Sequence, residues 1–222
     1  VWKDHMVAQG FGYKLGADLP GEQRGFIPNA KTYDKAYRGS WNGLTIISIS
    51  IGQGEITATP LQIANLGATI ANRGYFITPH IVKEIEDNPL DTLYTSRRYT
   101  GIDRAHYDEV VKGMRAAVTG STGSATCRMV GTILPGVEAC GKTGTAQNRG
   151  KDHSVFMGFA PMDNPKIAIA VYVENGGFGA VYGVPIGAMM MDQYLHGKLS
   201  PQNEILAEEF SNRVIYYSDE ER

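Results

Sequence analysis

Two segments carry apolar residues at helical spacing. In the first, Ile63, Leu66 and Ile70 recur three or four positions apart, and Thr59-Pro60-Leu61-Gln62 stands just ahead of them. Thr59 can cap the first turn, Pro60 suits the first helical position, and Gln62 completes a capping box. Gly74 then stands where a left-handed C-terminal cap belongs. In the second segment Tyr107, Val110, Val111, Met114 and Val118 form a stripe that starts near Asp103 and closes at Gly120. Spacing of this kind turns one helix face toward a core. From residue 137 the pattern is that of strands, at 137–148, His153–Ala160 and 166–174. The polar turns Asn148-Arg149-Gly150-Lys151-Asp152 and Met162-Asp163-Asn164-Pro165 join them, and connections this short make antiparallel neighbours. The third strand, Ile167-Ala168-Ile169-Ala170-Val171-Tyr172-Val173, is apolar on both faces, so both faces should be covered. A last helix at 185–195 would pack on that sheet, with Met189, Met190 and Met191 as adaptable core. The pattern predicts an α+β fold, an antiparallel sheet packed against helices.

Elsewhere the pattern is weaker. To about Trp41 the chain reads as loop, with Gly10-Phe11-Gly12, Leu19-Pro20-Gly21-Glu22 and Gly25-Phe26-Ile27-Pro28 as turn signals. The β-branched apolar run 44–51, ending in Gly52-Gln53-Gly54, reads as a buried strand or extended segment. Residues 200–222 form a polar tail ending Ser218-Asp219-Glu220-Glu221-Arg222, expected to fray or to serve as a docking arm.

Composition narrows the function classes. With 222 residues, 42% hydrophobic and 20% charged, the chain can bury one domain-sized core. Its formal net charge of −2 carries no footprint for nucleic acid or an anionic membrane. The 27 glycines follow no repeat period, and no apolar run approaches the roughly 18 residues a membrane span needs. The chain opens at Val1-Trp2-Lys3 as if in mid-element, which is expected of a piece of something longer. Cys127 and Cys140 match no zinc or redox spacing; they are either two buried thiols or one disulfide. His5, His80, His106, His153 and His196 are dispersed, and no cluster suggests a metal or an organic cofactor.

Chemistry enters with Lys142-Thr143-Gly144-Thr145, on the first of the three strands. A Lys-Thr-Gly triplet accompanies Ser-x-x-Lys in penicillin-binding proteins and class A β-lactamases. Gly144 lets an extended substrate lie against the strand as an added strand. Lys142 supplies a cation, and Thr143 and Thr145 hydroxyls, for a terminal carboxylate, while the Thr145 backbone N–H can be an oxyanion-hole donor. The bland alternative is a surface strand with an exposed lysine and two threonines.

Several further segments stand in a telling order. Cys140-Gly141-Lys142-Thr143-Gly144-Thr145-Ala146-Gln147 is followed by His153-Ser154-Val155-Phe156-Met157-Gly158-Phe159-Ala160-Pro161. Ile51-Gly52-Gln53-Gly54 precedes Ala58-Thr59-Pro60-Leu61-Gln62-Ile63-Ala64, and Gly10-Phe11-Gly12 precedes Asp18-Leu19-Pro20-Gly21-Glu22. From about residue 10 to 195 the chain resembles the C-terminal part of the transpeptidase domain of class B penicillin-binding proteins. The Gly-Gln-Gly form is similar to the elongation type rather than the division type. Two departures stand out. The family's Gly-Thr-Ala loop is here Gly123-Ser124-Ala125, and no serine in the chain has lysine three positions on. Ser40-Trp41-Asn42 matches the family's second motif in letters only, because it follows the Gly-Phe-Gly segment instead of preceding it.

The resemblance implies a peptidoglycan D,D-transpeptidase that cross-links stem peptides through an acyl-serine and is acylated by β-lactams. The nucleophile would be absent from this chain, so residues 1–199 would be the substrate-binding portion of a domain whose Ser-x-x-Lys half lies upstream. The segment alone would then be inactive. Implied partners are stem peptides, β-lactams, the upstream half of the domain and cell-wall elongation proteins, with no nucleic acid. The implied location is the periplasmic face of the inner membrane, through an anchor not in this chain. Of the family's five strands two would precede the serine, which leaves the edge of strand 166–174 open to self-association. The alternatives are a penicillin-sensing or non-catalytic module, whose absent serine fits equally well, and a serine β-lactamase relative.

Overall fold

The computed structural model describes residues 1–120 and 126–216. In chain order the elements are α1 (Trp2–Ala8), α2 (Ala30–Tyr37), a 3-10 turn (Ile47–Ile51), α3 (Pro60–Ala71) and β1 (Tyr75–Phe76). After a second 3-10 turn (Thr92–Tyr94) come β2 (Arg98–Tyr99), α4 (Arg104–Thr119) and α5 (Arg128–Ile133). Then follow β3 (Cys140–Ala146), β4 (His153–Ala160), β5 (Ile167–Val173), α6 (Gly183–His196) and α7 (Pro201–Ser211). β1 and β2 form a two-stranded ribbon, and β3-β4-β5 form an antiparallel sheet in that spatial order.

Register assigns the sheet's two faces. Gly144 stands opposite Val155, and Val155 opposite Tyr172, so the rows through Cys140, Lys142, Gly144 and Ala146 share one face. Helices α3 and α4 cover that face: Gly67 lies against Met157 and Ala168, and Tyr107, Val111 and Met114 cluster with Cys140 and Phe159. On the other face Phe156, Ile169 and Val171 pack with Val130 and Ile133 of α5 and with Val184, Ala188 and Met191 of α6. β5 therefore packs against helices on both faces, except that Tyr172 on the α3 side stays exposed, while its outer edge pairs with no strand among the described residues.

The predicted starts of α3 and α4 are observed. Thr59 Oγ1 accepts from the Gln62 N–H at 3.1 Å, Gln62 Oε1 accepts from the Thr59 N–H at 3.0 Å, and Asp103 caps α4 through the Ala105 N–H. Past Ala71 the left-handed residues are Arg73 and Gly74, and the Gly74 N–H returns to the Thr69 carbonyl. Val110 is exposed, so it drops out of the α4 stripe, whose buried members are Tyr107, Val111, Met114 and Val118. Likewise Met190 is exposed, while Met189 and Met191 are core.

Three expectations are corrected. The stretch before Trp41 contains α1 and α2, the latter started by an Asn29–Thr32 capping box that follows Pro28. The run 44–51 is no buried strand: it ends in a 3-10 turn with Leu44, Ile47 and Ile51 exposed, and no strand among the described residues pairs with it. Residues Pro201–Ser211 do not fray. Ser200 Oγ caps the Asn203 N–H, and Leu206, Ala207 and Phe210 pack against the core. Asn203 fastens α7, donating to the Ile133 carbonyl at 2.9 Å and to buried Asp192 at 2.6 Å. The final Ser218–Arg222 segment lies outside the described residues.

The long loop before α2 is organised by side-chain bonds to its backbone, one of them from the buried Gln62. Gln62 Nε2 donates to the carbonyls of Gly10, Tyr13 and Arg24 at 3.0–3.2 Å. The Glu22 carboxylate collects the N–H groups of Leu15, Gly16 and Ala17, and Asp18 collects those of Ile81 and Val82. Those two backbone bonds hold the Asp18 carboxyl below its ordinary pKa.

Candidate substrate-binding strand

Among the described residues β3 is an edge strand, paired on one side only, with β4. The Thr143 carbonyl accepts from Lys142 Nζ at 2.5 Å, and the Thr145 carbonyl accepts from Gln53 Nε2 at 3.5 Å. Both bonds come from side chains, not from the β3–β4 ladder. In an antiparallel ladder the N–H and C=O of one residue point the same way and alternate along the strand. Thr143 and Thr145 therefore turn their backbone groups to the open edge, while Gly144 pairs inward with Val155. A row of unpaired donors and acceptors on an edge is a template for an added extended chain.

The four residues predicted from the motif sit side by side on this edge. Lys142 is exposed and lies on the α3–α4 face. Gly144 lies in the same row, where a Cβ would stand 3.2 Å from Val155 Cβ, tighter than ordinary packing. Thr143 and Thr145 point to the α5–α6 face; Thr143 Oγ1 donates to Thr126 Oγ1 at 3.1 Å, and Thr145 stands opposite buried Ser154. A cavity of about 440 Å³ opens beside the strand, lined by Gly144, Thr145 and Tyr172 on one side and Gln53, Thr57 and Ile63 on the other. The Gly52-Gln53-Gly54 turn thus faces the motif strand, a juxtaposition that residues 92 positions apart do not disclose in sequence. The Thr126–Thr143 bond likewise had no local signal. Gly123-Ser124-Ala125 lies outside the described residues.

A larger cavity, about 540 Å³, lies between Trp2, Tyr33, Trp41, Ile46 and Ile47, away from the motif strand. Burial and a hydrogen bond to Glu55 push the Tyr33 hydroxyl there up to about 12. Trp41 of the Ser40-Trp41-Asn42 triplet belongs to this groove and donates to Asp34, so the triplet contributes nothing to the strand site.

The thiols are structural. Cys140 is buried on the α4 side of the sheet and Cys127 on the α5 side, both free. Burial pushes Cys140 up to about 11 and also raises Cys127, against the opposing pull of the Thr126 hydroxyl and the Lys142 charge. Protonated, buried thiols are poor nucleophiles. Among the described residues no group of three or more His, Cys, Asp or Glu could hold a metal ion, and no helix is long and apolar enough to cross a membrane.

Known proteins are similar to this chain over most of its length. The peptidoglycan D,D-transpeptidase MrdA of Acinetobacter baumannii is 38% identical over 190 residues, covering 77% of this chain and 27% of that protein. MrdA of Haemophilus influenzae is 32% identical over 214 residues, covering 88% of this chain and 32% of the relative. The chain thus spans about a third or less of these relatives' length. Among solved structures, Pseudomonas aeruginosa PBP2 in complex with WCK 5153 superposes with a TM-score of 0.77 at 39% identity, over 89% of this chain and 43% of the other. PBP2 from Helicobacter pylori, in a complex with MreC, superposes with a TM-score of 0.71 at 28% identity, over 86% of this chain and 34% of the other. The family described as penicillin binding protein transpeptidase domain matches residues 2–192, and with these elongation-type relatives beside it the chain belongs to that family.

Proposed function

We propose that this chain is the substrate-holding wall of a serine D,D-transpeptidase site whose reactive wall lies upstream. The observation that carries the reading is the open edge of β3, where the Thr143 and Thr145 carbonyls meet only side chains, Lys142 and Gln53, instead of a neighbouring strand. A stem peptide ending in D-Ala-D-Ala adds to this edge as an antiparallel strand. Lys142 and the Thr143 and Thr145 hydroxyls hold its terminal carboxylate, and the Thr145 N–H is one oxyanion donor for the carbonyl under attack. The nucleophilic serine, outside this chain, forms the acyl-enzyme and releases the terminal D-Ala; an acceptor amine then takes the acyl group and restores the serine. β-Lactams occupy the same edge and stop at the acyl stage.

On this reading residues 1–199 are the C-terminal portion of a transpeptidase domain, and the chain alone is inactive because positioning without a nucleophile gives no covalent catalysis. The enzyme works on the periplasmic face of the inner membrane with cell-wall elongation proteins. The H. pylori relative solved with MreC, and a relative within a structure described as a peptidoglycan synthase complex, support that company. Labelling with a fluorescent penicillin tests the reading. The intact protein becomes covalently labelled, the 222-residue chain does not, and Lys142→Ala in the intact protein slows acylation without unfolding it. Covalent labelling of the chain alone would place the nucleophile wrongly. A Lys142→Ala protein that melts early and acylates normally would reduce the lysine to a surface residue.

A further inference from the structure

The loop between β5 and α6 is fastened to the start of β4 at successive points. The Asn175 N–H donates to His153 Nδ1 at 3.1 Å, and the Gly177 N–H to the Asp152 carbonyl at 2.7 Å. Ser154, with no exposed surface, donates from Oγ to the Phe178 carbonyl at 3.0 Å and accepts the Gly183 N–H at 3.0 Å. A Cβ at Gly176 would stand 2.9 Å from Ser154 Cβ, so the loop lies directly over this side chain. Its apex then crosses behind the motif strand. A Cβ at Gly179 would overlap the Val155 carbonyl, stand 2.6 Å from the Gly144 carbonyl and 3.1 Å from Thr143 Cβ. Ser154 is also the register partner of Thr145, on the same face.

These contacts bear on the site because, among the described residues, β3 is laddered on one side only. An edge strand's twist, and with it the aim of its outer N–H and C=O groups, is restrained less than a central strand's. Backbone packed against its rear face supplies the restraint that a second neighbour would give. A buried hydroxyl bonded at both ends to one loop sets that loop's height over the sheet, since either polar group left unpaired inside would have to move toward another partner.

We propose that Ser154 is a positioning residue for acyl transfer: through the Phe178–Gly183 loop and Gly179 it braces β3 from behind, and so sets the aim of the Thr143 and Thr145 edge groups. The inference rests on the transpeptidase reading and adds to it a residue that does not touch substrate. Misplacement by a fraction of an ångström to 1 Å costs on the order of ten- to a hundredfold in a rate that depends on alignment.

Saturation kinetics of acylation by a fluorescent penicillin, in the intact protein, test it with four variants melted in parallel. Ser154→Ala lowers the acylation rate constant on the order of ten- to a hundredfold, and Ser154→Thr, which keeps the hydroxyl, restores most of it. Gly179→Ala lowers the same constant while removing no hydrogen bond, and it decides the matter if Ser154→Ala does not fold. Asn203→Ala, which cuts the ties of α7 far from the strand, lowers the melting temperature but acylates at the parent rate. If Ser154→Ala or Gly179→Ala melts early like Asn203→Ala and also acylates at the parent rate, Ser154 is only a stabilising residue and the proposal is overturned. A parent protein that takes no label at all instead sinks the transpeptidase reading, and this inference with it.

Discussion

Gln62 is the side chain on which the largest loop depends, and replacing it by leucine isolates its polar role. The residue is 1% exposed; its amide nitrogen serves the carbonyls of Gly10, Tyr13 and Arg24, and its oxygen takes the Thr59 N–H. The two amide hydrogens make at most two full bonds and the oxygen takes one here, three in all, each with a net worth of about 1 kcal/mol. Stranding the buried Gly10 carbonyl and its neighbours adds about 1–2 kcal/mol. Burying leucine in the same volume returns about 1–2 kcal/mol. The net loss for Gln62→Leu is therefore about 3 kcal/mol, which for a domain of this size lowers the melting temperature by roughly 6–12 °C. Hydrogen exchange gives the local signature. The Phe26 and Thr57 N–H groups, each bonded to the other's carbonyl, lose protection, while β4 keeps its own until global unfolding. A melting shift under about 2 °C, or equal loss of protection at both places, would refute the assignment of the loop's order to this one amide.

Three other outcomes follow from the structure. Burial works against ionisation of Asp192, but bonds from Asn203, His196 and the Ser200 N–H outweigh it and hold the carboxyl below its ordinary pKa. A depressed pKa contributes stability above the unfolded value and loses it as pH falls through the folded one. The melting advantage over Asp192→Asn is thus constant above about pH 5 and shrinks as pH falls below about 4. With Cys140 pushed up to about 11 and Cys127 also raised by burial, neither thiol reacts with a thiol reagent at pH 8 until the protein unfolds, whereupon both do; rapid reaction in the native state would contradict the burial. The 222-residue chain alone self-associates through the unpaired β5 edge and the exposed Leu44, Ile47 and Ile51, so light scattering finds species larger than the monomer. A monomer with a cooperative melt would refute this.

The parts of the fold legible in the sequence share one property: their signals are local. Thr59, Pro60 and Gln62 start α3 by reaching three residues along the chain, and short polar turns make β3, β4 and β5 neighbours whatever surrounds them. Where the expectation failed, the local signal was short or ambiguous. Asn29 and Ser200 each precede a helix and cap it, but neither helix has the long apolar stripe that would announce it. The run 44–51 has strand composition and no partner strand, and without a ladder its composition cannot make it a strand.

The site divides along the same line. By itself the sequence determined that Lys142, Thr143, Gly144 and Thr145 lie together on an extended segment, because their adjacency is covalent, and that no Ser-x-x-Lys accompanies them. Only the tertiary structure decided that this segment is an edge, that Gln53 approaches it from one side and that Thr126 and the Ser154-held loop back it from the other. Whether a strand's polar groups are spent on a neighbour or left open depends on the order in which strands assemble. Contacts between residues 17 to 92 positions apart arise only once the whole core has folded around them.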